Sequence, residues 1–187
     1  MTAFVIGKHA ASKSHAAYVE NYRKNRYIDI ANHSFSHANS RYLSWYRNPE
    51  LVLSDFNRNK TFYGISDTIS RLPGRNIWRL GGVAYDQDRT SSSAATLLAS
   101  SDYKLYGWDL EWTHSVNGKP IENAATIYSK IKYKLKKNRK GHLVLLMHDQ
   151  MFASAYAANE LKKLIEIEYP AKKNPNQKGS AVYPPQN

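Results

Sequence analysis

His33 and His37 stand four residues apart in Asn32-His33-Ser34-Phe35-Ser36-His37, and a third imidazole, His148, follows the apolar run Leu143-Val144-Leu145-Leu146-Met147 and precedes Asp149. If the first segment coils, this spacing lets two rings reach one cation, as in metal-dependent hydrolases. A ring at the end of an apolar strand beside a carboxylate can be tuned towards neutrality, as a general acid requires. Each fragment also has a plainer reading. A pair at this spacing arises readily by composition among seven histidines, and a strand-end histidine is commonly satisfied by a backbone carbonyl.

Two further fragments carry chemistry. Arg71-Leu72-Pro73-Gly74 reads either as an ordinary turn or as a guanidinium that keeps a catalytic carboxylate ionised and aimed. Trp108-Asp109-Leu110-Glu111-Trp112 alternates aromatic and acidic residues. It is either a strand with two tryptophans in the core, or Asp109 orienting an imidazole between tryptophans that wall a sugar ring or acetyl group.

The elements that must position these residues read as strands and helices in turn, the pattern of an α/β layer. Strands are expected over 2–6, 27–31, 104–109 and 143–147, with strand then turn over 68–80. Continuous apolarity in 143–147 suits a strand buried on both faces. Helices are expected over 14–25, with Ala17, Val19 and Tyr22 packing, over 91–101, and over 154–169. Asn48-Pro49 caps and starts a helix that runs to about Lys60 and closes at Gly64. Ala124, Ile127, Ile131 and Leu135 form one apolar stripe in a lysine-rich helix over 121–138, stopped by Gly141. Notable polar residues thus follow strands, where α/β sheets and barrels place active sites.

The chain has 187 residues, 42% of them hydrophobic, enough for one core and one domain over 1–169, with a basic Pro-, Asn- and Gln-rich tail over 170–187. With no cysteine, metal ligands are limited to His, Asp and Glu. The net charge of +12 attracts anionic polymers without identifying one. No export signal is visible, and no run approaches membrane-spanning length.

Taken in order, the four fragments resemble the polysaccharide deacetylases of the NodB-homology group, carbohydrate esterase family four. His33-Ser34-Phe35-Ser36-His37 matches its His-Ser/Thr-x-x-His motif, Arg71-Leu72-Pro73 its Arg-x-Pro run, Trp108 to Trp112 its Asp-and-Trp motif, and Leu146-Met147-His148 its Leu-x-His. Thr2 to Gly7 is similar to the family's second strand. The resemblance implies a distorted (β/α) barrel with the first strand and helix missing, about 25–30 residues by ordinary element lengths. The absent motif, Thr-Phe-Asp-Asp, supplies the family's catalytic base and third protein ligand, and Asp29 does not replace it.

The implied activity is metal-dependent removal of acetyl groups from N-acetylglucosamine units, with this chain, short of the absent motif, expected to bind zinc weakly and to turn over only when the upstream strand is restored. His33 and His37 would bind a divalent metal, most simply zinc. His148 would act as general acid, Arg71 would support the base and Asp109 would orient His148, with Pro73, Trp108 and Trp112 on the substrate. The partner is an N-acetylated polysaccharide, with no nucleic acid, and the setting is extracytoplasmic. Rival expectations are a carbohydrate-binding protein without turnover and a basic nucleic-acid-binding domain, for which no recognised motif speaks.

Overall fold

The computed structural model describes residues 1–87, 89–137 and 141–168. The expected tail over 170–187, and the last residues of two expected helices, Asn138 and Tyr169, lie outside them. The chain divides into two compact units, Met1–Trp108 and Asp109–Asn187.

The first unit comprises β1 (Thr2–Val5), α1 (Lys13–Lys24), β2 (Asp29–Asn32), α2 (Tyr42–Tyr46), α3 (Pro49–Tyr63), β3 (Ile69–Ser70), β4 (Ile77–Leu80), β5 (Val83–Asp86), α4 (Ser92–Ser100) and β6 (Lys104–Leu105). Its six strands lie in the order β1-β2-β3-β6-β4-β5. The first four pair in parallel, and β4 is antiparallel to both β6 and β5. As hydrogen-bonded, this is a mostly parallel sheet with β1 and β5 at its ends.

α3 forms where its local signals put it. The Asn48 side chain accepts from the Leu51 amide, Pro49 opens the helix, and Gly64 ends it in the left-handed region at φ 58°. Trp45, Tyr46, Val52, Phe56, Ala94, Ala95 and Leu98, from α2, α3 and α4, build the main core with Leu72, Ile77, Tyr103 and Leu105. A smaller core holds Val5, Val19 and Ile65. α1 packs through Val19, with Ala16 and Tyr22 half-buried and Ala17 exposed, a phase one residue away from that expected at Ala17.

The second unit comprises β7 (Leu110–Glu111), α5 (Ala124–Lys137), β8 (Leu145–Leu146) and α6 (Ala155–Glu168), with β7 and β8 paired in parallel. The α5 stripe is as its spacing predicts, with Ala124, Ile127 and Ile131 buried and Leu135 packed against them. β8 differs from the expectation for 143–147. Leu143, Leu145 and Met147 pack on this core, yet all five residues of 143–147 are only partly buried. Apolarity alone overstated the burial of this strand.

Candidate functional site

Three parallel strands of the first unit end in line, because Asn32 is paired with Ser70 and Ser70 with Leu105. The residues that follow β2, β3 and β6 therefore leave the sheet at one edge, where such sheets place their ligands. They are His33, Arg71 and the segment Tyr106-Gly107-Trp108.

His33 Nδ1 lies 2.9 Å from the Arg71 carbonyl oxygen. A carbonyl only accepts, so Nδ1 holds the proton and the lone pair is on Nε2, the tautomer of a metal ligand. The His37 ring is centred 5.0 Å from the His33 ring at an interplanar angle of 58°. Two imidazoles bound through nitrogen at about 2.0–2.1 Å to a tetrahedral cation have centres about 5 Å apart, so the pair fits the group expected here. The Tyr42 hydroxyl is 3.4 Å from His37 Nδ1. Among the described residues, no group of three His, Asp or Glu is placed to hold a cation.

The pair is not made by a helical turn, which corrects the coiling expected from the i, i+4 spacing. Ser34, His37, Ala38, Asn39 and Ser40 all have φ between 46° and 66°. Each non-glycine residue there costs about 1 kcal/mol or more and persists only where its surroundings hold it. Asn32 Oδ1 accepts from the Ser34 amide at 3.0 Å and from Asn59 Nδ2 at 2.8 Å, and Asn32 Nδ2 donates to the Phe56 carbonyl at 2.9 Å. Asp55 Oδ2 accepts from the Ser36 amide and hydroxyl at 2.9 and 3.0 Å, and Ser34 Oγ accepts from the His37 amide at 3.1 Å. Gly7 donates to the Ser34 carbonyl, and a Cβ there would overlap the Phe35 ring. These supports escaped the sequence reading. Asn59 carried a signal, being a polar residue in the buried phase Val52, Phe56, Asn59 of α3.

Arg71 is 7% exposed. Its Nε donates to the Tyr106 carbonyl at 3.1 Å and its Nη2 to the Gly107 carbonyl at 2.9 Å, while the guanidinium carbon lies 4.2 Å from the Phe4 ring centre and 5.9 Å from that of Trp108. Burial draws its pKa below the ordinary guanidinium range, to about 10, so it is cationic at neutral pH. Among the described residues it meets carbonyls and ring faces where a carboxylate was expected. Trp108 is half-buried, its amide and carbonyl both bonded by the Asn76 side chain at 2.9 and 2.8 Å. Pro73 is buried and its carbonyl accepts from the Tyr46 hydroxyl at 2.6 Å, so it serves the core rather than the sugar-facing surface expected of it.

In the second unit, Asp109 Oδ2 accepts from the Val144 amide at 2.8 Å, so the carboxylate expected on an imidazole locks the start of β7 against the segment leading into β8. Trp112 is fully buried, donates through Nε1 to the Glu122 carbonyl at 2.9 Å and meets Phe152 at 5.3 Å, a core role in place of the expected sugar wall. His148 is half-buried after β8, and its ring is centred 5.2 Å from that of His114 at 87°. His114 was not singled out from the sequence, since only the pairing of β7 with β8 brings it to His148. The candidate residues therefore fall in two groups: His33, His37, Arg71, Pro73 and Trp108 in the first unit, and Asp109, Trp112 and His148 in the second.

The catalytic domain of peptidoglycan N-acetylglucosamine deacetylase from Eubacterium rectale ATCC 33656 matches this structure with a TM-score of 0.57 at 17% sequence identity, over 89% of this chain and 70% of that one. The two share a fold. No family model and no curated protein matches the chain. The mixed α/β architecture with its mostly parallel sheet is thus the fold of that catalytic domain. Among the described residues, no helix is long and apolar enough to cross a membrane.

Proposed function

We propose that the chain is a metal-dependent polysaccharide N-deacetylase of the NodB-homology type, acting outside the cytoplasm on N-acetylglucosamine units of an envelope polymer. The observation that carries the reading is the His33–His37 pair, centred 5.0 Å apart and with His33 Nδ1 anchored on the Arg71 carbonyl. The fold shared with a deacetylase catalytic domain supports it.

In this reading His33 and His37 would hold a divalent cation, most simply zinc. Such an ion lowers the pKa of a bound water and polarises an acetamide carbonyl. Arg71 fixes the His33 tautomer through its own carbonyl, and its buried guanidinium offers a cation to a carboxylate base. That base and the remaining protein ligand correspond to the Thr-Phe-Asp-Asp motif, and neither role is assigned to a described residue. His148 gives a proton to the departing glucosamine nitrogen, leaving acetate and a free amine.

Acetate release from an N-acetylglucosamine oligomer tests this. The reading expects zinc-dependent release that falls at least about 100-fold in His33→Ala and His37→Ala, the scale of losing a metal-activated water. Release that is equal in both variants and insensitive to chelation would contradict it. A second reading, a carbohydrate-binding protein without turnover, draws on the two-histidine ligand set among the described residues. It expects oligomer binding with no acetate at any zinc concentration.

A further inference from the structure

In the first unit, the main core takes Ile77 from β4 and Leu105 from β6. Side chains alternate between faces along a strand, so Trp78, Leu80 and Tyr106 stand on the opposite face of the sheet. Strand pairing sets Tyr85 opposite Trp78 and Val83 opposite Leu80. Arg79 pairs with Leu105 in antiparallel, which brings Tyr106 beside Trp78, their ring centres 6.0 Å apart at 55°. The adjacent strands β5, β4 and β6 thus present Tyr85, Trp78 and Tyr106 in a row. Neighbouring strands lie about 4.8 Å apart, close to the length of one pyranose unit in an extended β-linked chain. Tyr85 is 52% exposed, and Trp78 and Tyr106 are half-buried.

The row is braced and continuous with the candidate site. A Cβ at Gly107 would lie 2.4 Å from Trp78 Nε1 and 2.8 Å from its Cδ1, so the glycine lets the indole rest against the backbone. The carbonyls of Tyr106 and Gly107 accept from Arg71, whose own carbonyl anchors His33. The aromatic row therefore ends at the strand edge that carries both. Its charge selects among ligands that stack on rings. Arg79 and Asp86 pair with each other, and Ser92 of α4 joins them. Both alternate with the aromatic residues, so the hairpin offers this face only Trp78, Leu80, Val83 and Tyr85, none of them charged. To these β6 adds Lys104 alone. Single-stranded nucleic acid needs a positively charged groove beside its stacking rings, whereas the C–H faces of neutral sugar rings need only the apolar ring face.

We propose that Tyr85, Trp78 and Tyr106 form a carbohydrate platform on which consecutive pyranose rings of a neutral polysaccharide stack. The sugar chain crosses β5, β4 and β6 towards the strand edge of Arg71 and His33. That the sugar is N-acetylated rests on the deacetylase reading, whereas stacking on the row requires no turnover.

Calorimetric titration of N-acetylglucosamine oligomers into the full chain, with acetate followed in the same samples, tests the assignment. Tyr85→Ala, which removes an exposed side chain, and Trp78→Ala are each expected to weaken oligomer binding about three- to tenfold, the scale of one aromatic contact. Trp78→Phe, which keeps a ring, should retain most of the affinity. Oligomer binding that is weakened in Tyr85→Ala, with no acetate from any sample, upholds the platform and removes the deacetylase reading. Acetate release with equal oligomer affinity in wild type and Tyr85→Ala removes the platform and leaves that reading standing. The proposal is also overturned if the oligomers do not bind wild type, or if Tyr85→Ala weakens binding of single-stranded DNA and not of the oligomer.

Discussion

At the scale of single residues, the His33–His37 loop depends on groups that touch neither ring. Gly7 lies against Phe35 and Asn59, with no room for a methyl group. Gly7→Ala should therefore destabilise the chain by about 1–3 kcal/mol, the range for overpacking, as measured by chemical denaturation. Asp55→Ala removes both hydrogen bonds that hold Ser36 and should cost about 1–3 kcal/mol if the freed amide stays buried. Of the candidate site, the residues next to strand ends were legible in the sequence, because strand polarity and motif spacing are local. What was not legible were partners brought from far along the chain. Asn59 reaches Asn32 and Val5 from α3, and His114 meets His148 only through strand pairing. Trp112 read as ligand-facing because an indole suits a sugar ring, and Pro73 through the Arg-x-Pro resemblance, but the sequence does not say which face the core takes.

At the scale of elements, α3 was legible from end to end since Asn48, Pro49 and Gly64 act on backbone within a few residues. β8 and the phase of α1 were not, because burial is set by whichever layer covers each face. The β4–β5 hairpin shows how charge fixes an element. Arg79 Nη1 and Nη2 donate to Asp86 Oδ1 and Oδ2 at 2.6 and 3.0 Å, and Ser92 at the start of α4 donates to Oδ2 at 2.7 Å. The Arg79 hydrogen bonds, helped by Ser92, hold the Asp86 carboxyl below its ordinary 3.8. A depressed folded pKa contributes stability that is present above the unfolded value and lost as pH falls through the folded one. Denaturation followed from pH 6 downward should show that loss below about pH 4. Asp86→Asn should flatten this part of the profile and cost about 1–2 kcal/mol at neutral pH. An unchanged profile would mean that the ion pair does not form.

At the scale of the whole molecule, the two units each place an imidazole pair beyond the C-terminal ends of parallel strands. The deacetylase reading asks different work of each: cation binding from His33 and His37, proton donation from His148. His148→Asn should lower the rate of acetate release by about 10²–10⁴-fold, the range for a general acid. Affinity for zinc at the first pair should stay unchanged. The measurement that bears most directly on the account is calorimetric titration of zinc into the full chain, with wild type beside His33→Ala and His37→Ala. The account predicts that one binding event is weakened at least about tenfold by each substitution. Equal zinc affinity and stoichiometry in all three proteins would contradict it.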